Sequence, residues 1–291
     1  MDGLRQPMRP APAMPAARLF THDAMNTTFS LHICGVDDST ATGMARECCE
    51  HLDLLETKLS RFIEGSDVAR INHLRAGETL YLSEPCHQCL LLALDAHTRT
   101  NGLFDITLGT HINHQLAGDR APPPPLAGRL TIHPDVPAIT CEAPGRKIDL
   151  GGIGKGFALD QLMELLTVWG VPDVLLAAGG SSLLASGQQA WPVDLTGEQE
   201  TTRLFLTNQA LSASGIGIQG RHIIHPAGPD AMPICPSNRI WVLTQRAALA
   251  EIWSTALMLV TPSMIPDLIA DNTDIASVYT DSNGRVERIS A

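Results

Sequence analysis

The segment Ile148-Asp149-Leu150-Gly151-Gly152-Ile153-Gly154-Lys155-Gly156-Phe157-Ala158-Leu159-Asp160 constrains this chain more than any other. A short apolar run enters a cluster of glycines and leaves as helix-forming sequence. A strand must therefore turn sharply into a helix that carries Lys155 in its first turn. Glycines let a ligand approach the backbone, a helix start presents free N–H groups, and a lysine adds positive charge: three ingredients of a phosphate site. The segment is not a Walker A loop, because Asp149 stands where the first glycine belongs and no Ser or Thr follows Lys155; nor does it fit G-x-G-x-x-G. A tight strand-to-helix turn with an exposed lysine fits the same residues. The segment alone leaves both readings open.

Around it the periodicity predicts a strand over 28–34, a helix over 40–59 with Leu52, Leu55 and Leu59 on one side, and a helix over 85–100 that ends before Asn101-Gly102. Residues 117–128 contain Pro122 to Pro125 and read as an exposed, stiff loop. Further helices are expected over 154–169 and 246–260. A closing hairpin is expected from 275–280 and 285–289 around Ser282-Asn283-Gly284. Strands and helices are interspersed without a regular βαβ rhythm and without internal repeats, which predicts an α+β fold. One large domain over 21–291 is expected, behind a disordered leader over 1–20. That leader has no continuous apolar stretch and no cysteine before Cys34 for lipid attachment, so a cytoplasmic protein without a membrane span is expected.

A formal net charge of −11 argues against binding nucleic acid or anionic lipid non-specifically. A phosphate-bearing substrate would need a cation or local backbone amides to offset that field. Seven cysteines at irregular spacing do not form a disulfide framework, and Cys86-His87-Gln88-Cys89 reads as buried structural thiols at the start of a helix.

Two further segments carry chemistry. In Ala250-Glu251-Ile252-Trp253-Ser254-Thr255-Ala256, Glu251 and Thr255 stand one helical turn apart, close enough to share a ligand. Carboxylate plus hydroxyl suits Mg²⁺, which takes few protein ligands and leaves positions for substrate phosphates. An i,i+4 pair of this kind is also what a solvated helix face looks like. In Leu211-Ser212-Ala213-Ser214-Gly215 and Arg221-His222-Ile223-Ile224-His225-Pro226, a histidine near a serine-rich turn is a candidate general base, or a structural residue. A Ser-His hydrolase is disfavoured, since Ser212 replaces the first glycine of a G-x-S-x-G elbow.

The order of these segments resembles the FAD:protein FMN transferase family, from about Ala24 to the C-terminal hairpin. Met25-Asn26-Thr27 matches the family's Met-Gly-Thr, and Leu59-Ser60-Arg61-Phe62 with Ser66 and Asn72 matches a second motif. Gly102-Leu103-Phe104-Asp105-Ile106-Thr107-Leu108-Gly109, then 149–156, then Gly179-Gly180 follow in the family's order. So do 212–215, 222–226 and 250–256. The resemblance implies a single ApbE-like, T-fold-related α+β domain of mixed sheets with packed helices and a flavin cleft. It implies that FAD is lined by Met25, Asp105, Lys155, Gly179 and Gly180. It further implies Mg²⁺ on the diphosphate, held by the Gly154 carbonyl, Glu251 and Thr255. His222 is implied to take a proton from the Thr or Ser acceptor of a partner protein, with AMP as leaving group. Water in place of the acceptor would make the chain an FAD diphosphatase; flavin binding without turnover is the remaining alternative. The chain departs from the family's pattern at Gly154 (usually Ala), Ala213 (Thr), His225 (Asp) and Glu251 (Asp). The extra methylene moves the Glu251 carboxylate by about 1.5 Å.

Overall fold

The computed structural model describes residues 17–118, 123–215, 223–228 and 237–290. Strand β1 (Arg18–Ala24) turns back on β2 (Thr27–Cys34) through Met25 and Asn26, with Ala24 paired to Thr27. The two turn residues have φ of +51° and +57°, as a two-residue hairpin requires. Asn tolerates that region; for Met it costs about 1 kcal/mol. β1 begins inside the stretch 1–20 that reads as a leader, because Arg18, Leu19 and Phe20 pair with Ile33, His32 and Leu31. Residues 1–16 lie outside the described part.

Helix α1 (Asp38–Leu59) starts where the Asp37 carboxylate accepts the Thr40 N–H at 3.0 Å. It buries Ala41, Met44, Cys48, Leu52, Leu55 and Leu59 on one stripe. Then come α2 (Asp67–Ile71), β3 (Thr79–Tyr81), α3 (Glu84–Arg99), α4 (Gly109–Leu116), β4 (Arg129–His133) and β5 (Ala138–Ala143). The glycine-rich turn leads into α5 (Gly154–Val168), followed by β6 (Asp173–Ala178), β7 (Ser182–Ser186), β8 (Trp191–Thr196), β9 (Thr201–Leu206) and β10 (Ala210–Gly215). The chain closes with β11 (Arg239–Thr244), α6 (Ala247–Leu257), α7 (Ile265–Asp271), β12 (Ser277–Ser282) and β13 (Arg285–Ile289).

Strands from both ends of the chain build one antiparallel sheet in the order β1-β2-β6-β7-β10-β11-β12-β13, with β3-β5-β4 and β8-β9 as smaller sheets. The fold is α+β, as expected. Strand alternation sorts the core into two faces. Phe29, Leu31, Leu176, Ile240 and Val242 join the main core with α1, α3, α5 and α6. Leu175, Trp241 and Leu243 point the other way and pack with Trp191, Leu195 and Leu206 of the β8-β9 ribbon. Cys86 and Cys89 are buried free thiols of α3, and burial pushes the Cys86 thiol up to about 12. Among the described residues no helix is long and apolar enough to cross a membrane.

The α5–α6 contact positions the site. A Cβ at Gly156 would lie 2.4 Å from the Ala247 carbonyl oxygen, so only glycine lets the two helices meet this closely. Near the same crossing, Asp160 of α5 accepts the Ala247 N–H at 2.7 Å and the Ala248 N–H at 3.2 Å, supplying the start of α6 with acceptors.

Candidate active site

Helix α6 sends Glu251 back across the same contact. Its side chain is almost entirely buried, yet each carboxylate oxygen has partners. Oε2 accepts the Gly156 N–H at 2.9 Å, while Oε1 accepts the Ser182 hydroxyl at 2.6 Å and lies 3.0 Å from Lys155 Nζ. The first turn of a helix, a buried hydroxyl and an ammonium thus surround one carboxylate, which is how a charge is kept inside a protein. Glu251 is not on a solvated face.

This arrangement corrects one sequence expectation, that the start of α5 offers free N–H groups to a phosphate. Instead the Gly154 N–H is bonded to the Leu150 carbonyl at 2.7 Å and the Gly156 N–H to Glu251. The helix start therefore binds a protein carboxylate, and positive charge toward a ligand must come from Lys155 or from a cation. Among the described residues no group of three or more His, Cys, Asp and Glu could hold a metal. The available donor set is one carboxylate with neutral oxygens.

Thr255, one turn beyond Glu251, faces the glycine loop: a Cβ built on Gly152 would be 3.7 Å from Thr255 Oγ1 and 3.1 Å from the Phe104 ring. A run of hydroxyls backs it from β10. Ser214 Oγ is 2.9 Å from Ser254 Oγ and 3.4 Å from Thr255 Oγ1, and Ser254 reaches Ser212 at 3.4 Å. The loop itself is anchored from below. Asn72 donates to the Ile148 carbonyl at 2.9 Å and accepts the Ile148 N–H at 2.6 Å. Arg61 Nε lies 2.8 Å from Asp149 Oδ2 as a charge pair. The Leu-Ser-Arg-Phe and Asn elements singled out in the sequence therefore serve as supports for the loop.

A Cβ at Gly179, whose φ is +58°, would be 2.6 Å from Thr27 Oγ1, and its N–H donates to the Thr28 carbonyl at 2.9 Å. The Gly179-Gly180 turn thus packs on Thr27 and Thr28, next to the Met25-Asn26 hairpin tip, and leads through Ser181 into Ser182. At that tip the Met25 N–H donates to Glu56 Oε1 at 2.9 Å. An open depression of about 400 Å³ next to it is lined by Asp23, Ala24, Asn26, Thr27, Thr28 and Glu56. Two carboxylates give it the wrong sign for a diphosphate. Asp105 sits in the segment whose Ile106 carbonyl accepts the Asp149 N–H at 2.8 Å. Its own carboxylate is occupied by the Thr107 N–H and hydroxyl at 2.7 and 2.6 Å and by Arg146 at 3.1 Å. His222 lies outside the described residues.

The structure thus brings Gly154, Lys155, Glu251 and Thr255 into one place, with the Gly179-Gly180 turn joined to it through Ser182. Sequence reasoning missed Ser182, and it singled out Arg61 and Asn72 without giving them the role of loop supports. The Ser181-Ser182 pair after two glycines reads as turn, and only the strand register carries it to Glu251.

The sequence profile of the ApbE family matches residues 25–279. This chain belongs to the ApbE family. One relative within it is the FAD:protein FMN transferase of Salmonella typhimurium, 25% identical over 84% of this chain and 79% of that protein. Among solved structures, the apo flavinyl transferase ApbE of Pseudomonas stutzeri superposes with a TM-score of 0.81 at 21% identity, covering 94% of each chain. The flavin transferase ApbE of Vibrio cholerae gives 0.80 at 20% identity, covering 94% of this chain and 97% of that one. At these identities the two structures establish the ApbE fold.

Proposed function

We propose that this chain is an FAD:protein FMN transferase, which moves FMN from FAD to a Thr or Ser hydroxyl of a partner protein and releases AMP. ApbE family membership and the names of its relatives support the reading. The observation that carries it is the buried Glu251 carboxylate, held by Gly156, Ser182 and Lys155 beside a glycine loop. A single anionic oxygen donor with a neighbouring hydroxyl fits Mg²⁺ bound mainly by substrate phosphates. Glu251, Thr255 and the Gly154 carbonyl would hold the ion, which supplies charge neutralisation on the diphosphate.

In this reading Met25, Asp105, Gly179 and Gly180 line the flavin, and Lys155 exchanges its contact with Glu251 for the diphosphate as substrate enters. His222 removes the proton from the acceptor hydroxyl. The acceptor oxygen then bonds to the FMN phosphorus, and the bond to AMP breaks. Positioning and electrostatics supply most of the acceleration, since phosphoryl transfer asks little covalent chemistry of a protein.

The test is to incubate the purified chain with FAD and Mg²⁺, with and without an added acceptor protein bearing a surface Thr, and to follow AMP and covalent flavin fluorescence. AMP together with a fluorescent acceptor band supports transfer. AMP at the same rate without an acceptor would make the chain an FAD diphosphatase, and bound FAD without AMP in either case would make it a flavin-binding protein.

A further inference from the structure

Ser182 takes no step in the reaction above, yet it makes the shortest contact to the carboxylate on which that reading rests. It opens β7 and is fully buried, paired to Ala178 of β6 on one side and Ser212 of β10 on the other. A residue in the middle of an eight-stranded sheet has no freedom to follow a moving partner. Its hydroxyl has one proton, and that proton goes to Glu251 Oε1 at 2.6 Å, the length of a charge-assisted bond. The other oxygen is fixed by a backbone N–H. Lys155 is the remaining donor, and it differs in kind: a flexible four-carbon stem, its side chain 26% exposed.

A glutamate has three rotatable side-chain bonds, and holding it in one rotamer costs conformational entropy. One fixed donor leaves the carboxylate free to swing about that contact. Two, on different oxygens, set both its plane and its direction. We propose that Ser182 is a positioning residue that, with the Gly156 N–H, holds the Glu251 carboxylate in the orientation that receives a divalent cation when Lys155 lets go. The inference rests on Glu251 being a cation ligand, as proposed above.

The experiment uses Mn²⁺ as the probe. Free Mn²⁺ is titrated by electron paramagnetic resonance against the FAD-loaded full chain, for wild type, S182A, E251Q and the double variant. Flavin fluorescence gives FAD affinity without metal, and thermal unfolding checks folding. Loss of a group that orients a ligand weakens metal binding about 10- to 100-fold. S182A should show that loss with FAD affinity unchanged, S182T should recover most of it, and S182A should add nothing in the E251Q background. Wild-type Mn²⁺ affinity in S182A overturns the proposal, as does an equal further loss on the E251Q background. If S182A does not fold, wild-type Mn²⁺ affinity in S182C, whose thiol is a weak donor, overturns it equally. E251Q that binds Mn²⁺ like wild type removes the reading of Glu251 itself, a different result from a silent S182A beside a defective E251Q.

Discussion

Two carboxylates cross the α5–α6 contact in opposite directions. Asp160 leaves α5 to accept the Ala247 and Ala248 N–H groups at the start of α6, with Arg246 at 3.4 Å. Glu251 leaves α6 to accept the Gly156 N–H at the start of α5, with Lys155 at 3.0 Å. Each pairs a buried acid with the other helix's first turn and one basic side chain. The surroundings differ. Asp160 meets only backbone N–H groups and an arginine whose side chain is 45% exposed, and burial pushes its carboxyl up to about 6. Glu251 gains a fully buried hydroxyl and stands next to the glycine loop and Thr255. The same local physics thus ties a helix pair together at one point and, at the other, holds a buried charge beside the glycine loop, where we propose that a cation binds.

That contrast breaks if the two acids respond alike. The largest expected effect is on E251Q, which keeps the shape and removes the charge. Metal-dependent turnover should fall about 100- to 1,000-fold, the usual loss when an electrostatic stabiliser goes, while the urea midpoint moves little. An unchanged rate would take Glu251 out of the site.

D160N should do the reverse. A carboxyl raised above its ordinary 3.8 to about 6 binds its proton more tightly in the folded chain. It therefore adds stability fully below its unfolded value, and that contribution is lost as pH rises through the folded one. Asparagine does not titrate. Urea unfolding of D160N relative to wild type should shift in the variant's favour by up to about 3 kcal/mol between about pH 4 and pH 7, with turnover near normal. A pH-independent difference would contradict the assignment.

The partners sharpen the contrast further. K155M should lower turnover about 10- to 100-fold, measured as AMP release at saturating FAD. R246M should leave turnover alone and cost no more than about 1 kcal/mol, as expected for a half-exposed arginine whose buried partner keeps two backbone donors.

The sequence shows one of these two acids more plainly than the other. Glu251 and Thr255 share a helix, so their one-turn spacing is visible along the chain, as is Lys155 in the first turn of α5. Asp160 is also visible in the motif, but nothing local says that it reaches residues 247 and 248. Helices α1, α3, α5 and α6 follow from their apolar spacing, and β12-β13 from Asn283-Gly284. β1 is harder, because Ala24 alone of its residues is buried and the hairpin turn carries Met25 where Gly or Asn is usual. α4 is eight residues with two buried positions, too short to print a period. The Gly156 amide at the start of α5 reads as free because its acceptor is 95 residues away. Ser182 is hidden for the same reason, since its contact depends on β7 lying between β6 and β10.

We propose that Glu251, anchored on α5, carries the cation that meets the FAD diphosphate. Anomalous diffraction from crystals of the chain soaked with FAD and Mn²⁺ tests it most directly. A peak bonded to a Glu251 oxygen and to Thr255 Oγ1, with Lys155 turned toward phosphate, is the expected result. A peak that contacts neither residue, with Lys155 still paired to Glu251, would contradict it.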